Sequence, residues 1–350
     1  MKIDTMHRSK PRSSFIIEFV WLSLVCGLVA IWGCGALTEG LMQGPGTADT
    51  QDAYSLFDNG TGHLKEGRFD DAIAALSQAI NLEPDYAEAY NNRGLAYYEK
   101  KEYSQALEDF KQVIVINPDD EKAHNNLALV YYRLEDYPNA ENHYQLALSL
   151  SREEKPYHAD VYNNLGAIYA RKGAQQEALN AYNNAIRITK TNNLGYTDAF
   201  YNRANLFYDQ KRYDEAIADY TVAITSVEEA GDAAYNVSDA YYNRGLSYYH
   251  KGQHNEALAD YERALEHKPD FTWALYSMGL TYFMKKDYER ALSAYHKALG
   301  IDANFADAYL GMAMVFQETG PREEFLASLN KSCDLGNAQA CDTLKKLEEK

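Results

Sequence analysis

The sequence predicts an all-α fold, a solenoid of about eight helix pairs closed by a capping helix at its C-terminal end. Three observations carry this. A small residue followed three places later by an aromatic one recurs at Gly94, Ala128, Gly166, Ala204, Gly245, Gly279 and Ala313, in steps of 34, 38, 38, 41, 34 and 34 residues. Twelve places after each stands Ala106, Ala140, Ala178, Ala216, Ala257, Ala291 or, as the exception, Phe325, and an aromatic residue usually follows four places beyond, as in Phe110, Tyr144, Tyr182, Tyr220, Tyr261 and Tyr295. Prolines in "NLEPDYAEA", "VINPDDEKA" and "EHKPDFTWA" fall where a second helix must stop and the next begin. Two antiparallel helices approach closely only where one side chain is nearly absent, so the first small residue marks the crossing within a pair and the second lets the next pair stack.

The first 33 residues stand apart from this pattern. Lys2, Arg8, Lys10 and Arg12 precede "FIIEFVWLSLVCGLVAIW", the charged-then-apolar order of a secretory signal. The run ends in "AIWGCG", where Gly33 and Cys34 resemble the lipobox of bacterial lipoproteins. That resemblance implies cleavage before Cys34, lipidation of its thiol and, with Gly35 rather than Asp next, an outer-membrane anchor facing the periplasm. An uncleaved inner-membrane signal anchor and a buried helix are the alternatives. Residues 34–52 carry Gly and Pro without apolar periodicity and are expected to form a flexible tether.

Charge narrows the partners of the body. With 51 Asp and Glu against 34 Lys and Arg the chain carries −17, and removing residues 1–33, with four basic and two acidic side chains, leaves 30 against 49, or −19. This balance disfavours nucleic-acid backbones and anionic lipid surfaces. Thirty Tyr against 12 Phe suits a thin architecture in which ring tips stay near water or an acceptor.

Eight units are expected, at 53–86, 87–120, 121–154, 159–192, 197–230, 238–271, 272–305 and 306–339, followed by a capping helix at 338–350. The first keeps only its second half, "GRFDDAIAALSQAINLEPDYAEAY". The period and the small residues resemble tetratricopeptide repeats, which implies a right-handed α/α superhelix stabilised by nearest-neighbour interfaces. Extra residues in "SREEKPYHAD", "TKTNNLGYTD" and "SVEEAGDAAYNVSD" fall at joints between units, where they lengthen a second helix or a loop. At the far end, "SLNKSCDLGNAQACDTL" resembles the cysteine-bearing Sel-like repeats of secreted bacterial proteins. The resemblance implies a disulfide between Cys333 and Cys341, contributing about 2–3 kcal/mol in an exported compartment. Two buried free thiols are the alternative, and no further Cys or His stands nearby to complete a zinc site.

Asparagine recurs in the first helix of the middle units, in "YNNRG", "HNNLA", "YNNLG", "YNRAN" and "YNRG", although its amide competes with the helical backbone. Tyr90, Arg93, Gly94 and Tyr97 share one face of a 3.6-residue helix, so Asn92 and its equivalents Asn126, Asn164, Asn202 and Asn243 face the concave side. A primary amide offers donors and an acceptor together and can hold both N–H and C=O of an extended backbone. Helices about 8–10 Å apart and a strand rise of about 3.3 Å give one asparagine for about every three ligand residues. This resembles the asparagine ladder of tetratricopeptide proteins that bind extended polypeptides. Tyr98, Tyr132, Tyr208, Tyr249 and Trp273, with Tyr201 and Tyr242, are the candidate flanking contacts. The competing reading is an exposed, merely solvated Asn. Arg93, Arg203 and Arg244 are expected to lay their stems on the core and reach a carboxylate of a neighbouring unit. The inward Glu88, Asp198, Asp239 and Leu95 do not match the clamp that captures a partner's C-terminal carboxylate, and Lys122, Arg133 and Arg171 give the middle units a mixed sign.

No phosphate loop, nucleophile elbow or H-E-x-x-H motif is present, and His250 and His254 flank a turn rather than build a metal site. The expectation is a non-enzymatic docking scaffold without cofactor or metal, holding an extended segment of another protein. A self-associating structural module, with homo-oligomers, and a regulatory subunit of an envelope enzyme complex are the alternatives.

Overall fold

The computed structural model describes residues 47–192, 198–230 and 237–348, and every regular element in them is a helix. Eight antiparallel pairs run α1 (Thr47–Lys65) with α2 (Phe69–Leu82), α3 (Ala87–Glu99) with α4 (Tyr103–Ile116), α5 (Glu121–Arg133) with α6 (Tyr137–Leu150) and α7 (His158–Arg171) with α8 (Gln175–Thr191). They continue as α9 (Asp198–Asp209) with α10 (Tyr213–Ala230), α11 (Ser238–His250) with α12 (His254–His267), α13 (Thr272–Met284) with α14 (Tyr288–Ile301) and α15 (Ala306–Thr319) with α16 (Arg322–Asp334). A final helix, α17 (Ala338–Glu348), covers the last pair. Each helix packs on its pair partner and on the start of the next pair, so the molecule is a solenoid with a core divided among successive units. The expected signal segment and Cys34 lie outside the described residues, and α1 begins at Thr47, inside the stretch expected to be tether.

The crossing within a pair is set by a ring against a missing side chain. A Cβ added to Gly94 would lie 2.8 Å from Phe110, and one on Gly166, Gly245 or Gly279 would lie 2.4–2.7 Å from Tyr182, Tyr261 or Tyr295. Ala106, Ala140, Ala178, Ala216, Ala257 and Ala291 are wholly buried beneath the following unit. The turn between the two helices of every pair places one residue at positive φ: Gly67, Gly173, Gly252 and Gly320, but also Lys101, Glu135, Lys211 and Lys286 near +60°. Helix starts follow side-chain caps where available, with the Asp120 carboxylate accepting from the N–H of Lys122 and Ala123, and Asp287 accepting from that of Arg290.

The extra residues at the joints take two forms. They lengthen α8 to 17 residues and α10 to 18, against 14 in α4, α6, α12 and α14. Between α6 and α7 they form a connection at 151–157 instead. There the units are tied by polar contacts: Lys155 to Glu121, Lys172 to Glu141, Arg187 to Glu154, and Gln145 Nε2 donating to the Tyr169 hydroxyl at 3.0 Å.

Candidate functional site

The recurrent asparagines stand two residues before each crossing residue, on the first helices, and each donates to a residue of the preceding unit. Asn92 Nδ2 donates to Thr61 Oγ1 at 2.9 Å, Asn126 Nδ2 to Asn91 Oδ1 at 2.9 Å and Asn202 Nδ2 to Asn163 Oδ1 at 3.0 Å. Asn243 Nδ2 donates to the Tyr201 hydroxyl at 3.0 Å and to Asn205 Oδ1 at 3.3 Å. Asn91 Nδ2 also donates to Asn92 Oδ1 at 3.2 Å, so Asn126, Asn91, Asn92 and Thr61 form one chain over three units. Asn92, Asn126, Asn202 and Asn243 are half-buried. Asn164 differs: it is 4% exposed and donates downward to the Tyr144 hydroxyl at 3.0 Å. The receiving residues Thr61, Asn91, Asn163 and Asn205 were not singled out from the sequence as partners, though the doubled "NN" was the trace of Asn91 and Asn163.

A second seam runs parallel to the amides, four and five residues beyond the crossing. Arg133 Nε donates to the Tyr98 hydroxyl at 2.7 Å, Arg171 reaches the Tyr132 hydroxyl, and His250 Nε2 lies 3.0 Å from that of Tyr208. Each base also lies near an aromatic ring of the preceding pair. Arg171 sits over Tyr137 at 5.2 Å, and the His250 ring stacks on Tyr213 at 5.1 Å with planes 9° apart. Burial raises the phenol pKa values of Tyr98, Tyr132 and Tyr249 and lowers the imidazole pKa of His250, with Lys211 adding to the latter. Tyr98 is buried, whereas Tyr132, Tyr208 and Tyr249 are half-buried. Trp273, also half-buried, rests edge-on against Phe305 at 4.8 Å.

The arginines require a correction. Arg93, Arg203 and Arg244 grip a carboxylate of their own unit, not of a neighbour: Asp109, Asp219 and Asp260, each through Nε and Nη2 at 2.6–2.9 Å. The third nitrogen reaches back to the preceding unit, to Ser77 Oγ at 3.0 Å, Asn183 Oδ1 at 2.6 Å and Thr221 Oγ1 at 3.0 Å. The cause is the crossing itself, which brings the residue before Gly94, Ala204 or Gly245 over the second helix of the same pair. These bidentate pairs are structural brackets. Burial pushes the Asp109 and Asp260 carboxyls up, opposed by the guanidinium beside each.

The polar seams thin out in the last units, where the Ser277 hydroxyl, 3.4 Å from that of Tyr242, stands in place of an amide. Ser277 and Gly311 occupy the asparagine register, and Phe283 follows Tyr249 in the tyrosine register. At the end, Cys333 and Cys341 are at disulfide distance with Cα atoms 4.7 Å apart, joining α16 to α17. Among the described residues no cluster of three or more His, Cys, Asp or Glu could hold a metal ion, and no helix is long and apolar enough to cross a membrane.

Tetratricopeptide repeat models match residues 119–191, 187–234, 238–271 and 272–305, and a TPR repeat model matches 63–101 and 94–135. The chain therefore carries tetratricopeptide repeats, and its helical pairs are units of that family. A chain in the crystal structure of the APC/C hetero-tetramer Cut9-Hcn1 aligns with a TM-score of 0.56 at 15% identity, over 75% of this chain and 48% of that one. This chain thus spans about half the length of that relative. The C-terminal part of a TPR repeat-containing protein from Cytophaga hutchinsonii aligns at 0.55 and 18% identity, covering 71% and 97%. A tetratricopeptide repeat protein from Parabacteroides merdae gives 0.51 and 18%, covering 76% and 99%. At such identities the likeness is one of fold. No curated protein matches the sequence.

Proposed function

We propose that this protein is a non-enzymatic docking scaffold that holds an extended segment of another polypeptide along its first helices. Tetratricopeptide repeat proteins are generally interaction scaffolds that bind proteins or peptides, which supports the class. The observation that carries the finer reading is the row of half-buried amides at Asn92, Asn126, Asn202 and Asn243. A primary amide has two N–H donors and two acceptor lone pairs. The bonds back to the preceding unit occupy one donor of Asn92, Asn126 and Asn202 and both of Asn243; they fix the side-chain rotamers and leave acceptor capacity on every amide, and a donor on the first three, for a ligand backbone. Pre-orientation lowers the entropy lost on binding. Asn164, turned toward Tyr144, sets the fourth unit apart as the place where the ligand backbone is held by other groups.

The N-terminal segment supplies the proposed address. Residues 1–33 act as a lipoprotein signal, Cys34 carries the lipid, and the solenoid stands off the outer membrane in the periplasm. Mass spectrometry of the mature N-terminus checks this, expecting a diacylated or triacylated Cys34; an intact Met1 assigns an uncleaved anchor instead.

The groove is tested by crosslinking in cells and recovery of the partner with Asn92, Asn126 and Asn202 changed together to Ala. Recovery should fall at least about tenfold, since each lost amide contact is worth about 1 kcal/mol. Undiminished recovery from a variant that still melts cooperatively moves binding off the amide row.

A further inference from the structure

The amide row ends at Ser277 and Gly311, and the solenoid there opens into a cleft of about 220 Å³. Its floor is apolar, formed by Phe283 of α13, Leu310 and Met314 of α15, and Phe325 of α16. Its rim is polar, with Gln317 and Glu318 on one side and Gln339 and Thr343 of α17 on the other. Phe283 stands in the register of Tyr98, Tyr132, Tyr208 and Tyr249, so the cleft is continuous with the face that carries the amides.

The α16–α17 corner that forms the wall of this cleft is fixed to α15 and within itself. Asn337 Nδ2 donates to Asp307 Oδ1 at 2.8 Å, Ser332 Oγ donates to the carbonyl of Ala306 at 2.8 Å, and the cysteine pair joins α17 to α16. A cleft held open in this way is a preformed site.

Size and charge select its occupant. Small-molecule sites occupy about 300–1,000 Å³ and surround most of their ligand. A cleft below that range, open along a groove, suits one large side chain. The charged residue on its rim is Glu318, which is exposed and favours a cation beside whatever fills the floor. We infer that this cleft is an anchor pocket for a single bulky apolar side chain of an extended polypeptide that carries Lys or Arg next to it. The inference rests on the groove proposed above and adds the chemistry of its ligand: amides hold the backbone through the middle units, and the cleft reads one residue near the end.

The probe is a pair of fluorescein-labelled fifteen-residue peptides of Ser, Gly and Lys, identical except for one Phe replaced by Ala, and the readout is fluorescence anisotropy with the full folded chain. The Phe peptide should bind about tenfold or more tightly than its Ala twin, the yield of burying one aromatic side chain. Thr343→Trp, which fills the cleft from α17, should erase that difference while leaving the Ala twin unchanged. Gln339→Trp, at an exposed position, does the same if Thr343→Trp does not fold. Equal binding of the twins, or a difference that survives both variants, overturns the anchor pocket. The groove reading has a separate readout, the weakening of the Ala twin by Asn92→Ala and Asn126→Ala. Failure of both twins to bind removes the groove and the pocket with it.

Discussion

The middle of the solenoid and its C-terminal end are built on one frame and held by different forces. From α3 to α11 the first helices are joined by directional bonds of amides and of phenol to base, and in α3, α9 and α11 an arginine also grips a carboxylate of the second helix of its own pair. From α13 to α15 the arginine, tyrosine and asparagine registers hold Met278 and Met312, Phe283, and Gly311, and the ring of Tyr295 lies between Gly279 and Gly311. Directional bonds fix the register of a unit at modest net energy, because each replaces a bond to water. Close packing yields more per contact but tolerates little change in volume.

The comparison breaks first at Gly279. Cβ atoms built on Gly279 and Gly311 would lie 2.4 and 2.5 Å from the Tyr295 ring, so a larger residue has nowhere to go. Gly279→Leu should cost about 4 kcal/mol or more and release α13 to α17. Hydrogen exchange should show lost protection there with the middle units intact; an unchanged pattern would contradict this register. Next comes Arg244→Ala, which leaves the carboxylate of Asp260, 5% exposed, without its bidentate partner. The expected loss is about 3 kcal/mol in chemical denaturation. The double change Arg244→Met with Asp260→Leu should lose less than the single one, since an apolar pair of similar volume often replaces a buried ion pair. A larger loss in the double variant would show that the bracket contributes more than relief of a stranded charge.

The smallest effect is acid. Burial is the first cause of lowered pKa values at His143, His158 and His250, with His124 acting on His143 and Lys211 on His250. A base whose folded pKa is depressed contributes stability that is complete above its unfolded value of about 6.5 and is lost as pH falls through that value toward the folded one. Between pH 7.5 and 5.5 the melting temperature should fall, and protection in α5 to α7 and α11 should weaken before that in α13 and α15. A melting temperature that rises over this range would refute the assignment.

The pair-forming frame was legible because it depends on volume. Gly94, Ala128 and their equivalents can only be small, and the rings sixteen residues later can only be large, so the period is printed in the sequence. The brackets were half legible. An arginine just before the crossing and an aspartate sixteen residues later occur together as Arg93 with Asp109, Arg203 with Asp219 and Arg244 with Asp260, whereas Met278 faces that register with Ala294. That pairing assigns the carboxylate to the same unit, and the expectation of a neighbour's carboxylate overlooked it. The links from the asparagines to the preceding units were not legible, because they join residues 31 to 42 positions apart through rotamers that helical periodicity does not specify. Asn164 illustrates this: the sequence places it in line with Asn126 and Asn202, and the neighbouring Tyr144 hydroxyl turns it down.

The turns inside the pairs carry one more consequence. Lys101, Glu135, Lys211 and Lys286 adopt a left-handed backbone that Gly67, Gly173, Gly252 and Gly320 occupy at the same place in the other units. An L-residue there forfeits about 1–2 kcal/mol, so half of the hairpins carry a handicap that a residue without a β-carbon would lift. The solenoid is therefore held a few kilocalories below the rigidity its own architecture permits, with the slack distributed along its length and charged, long side chains kept at four of its corners.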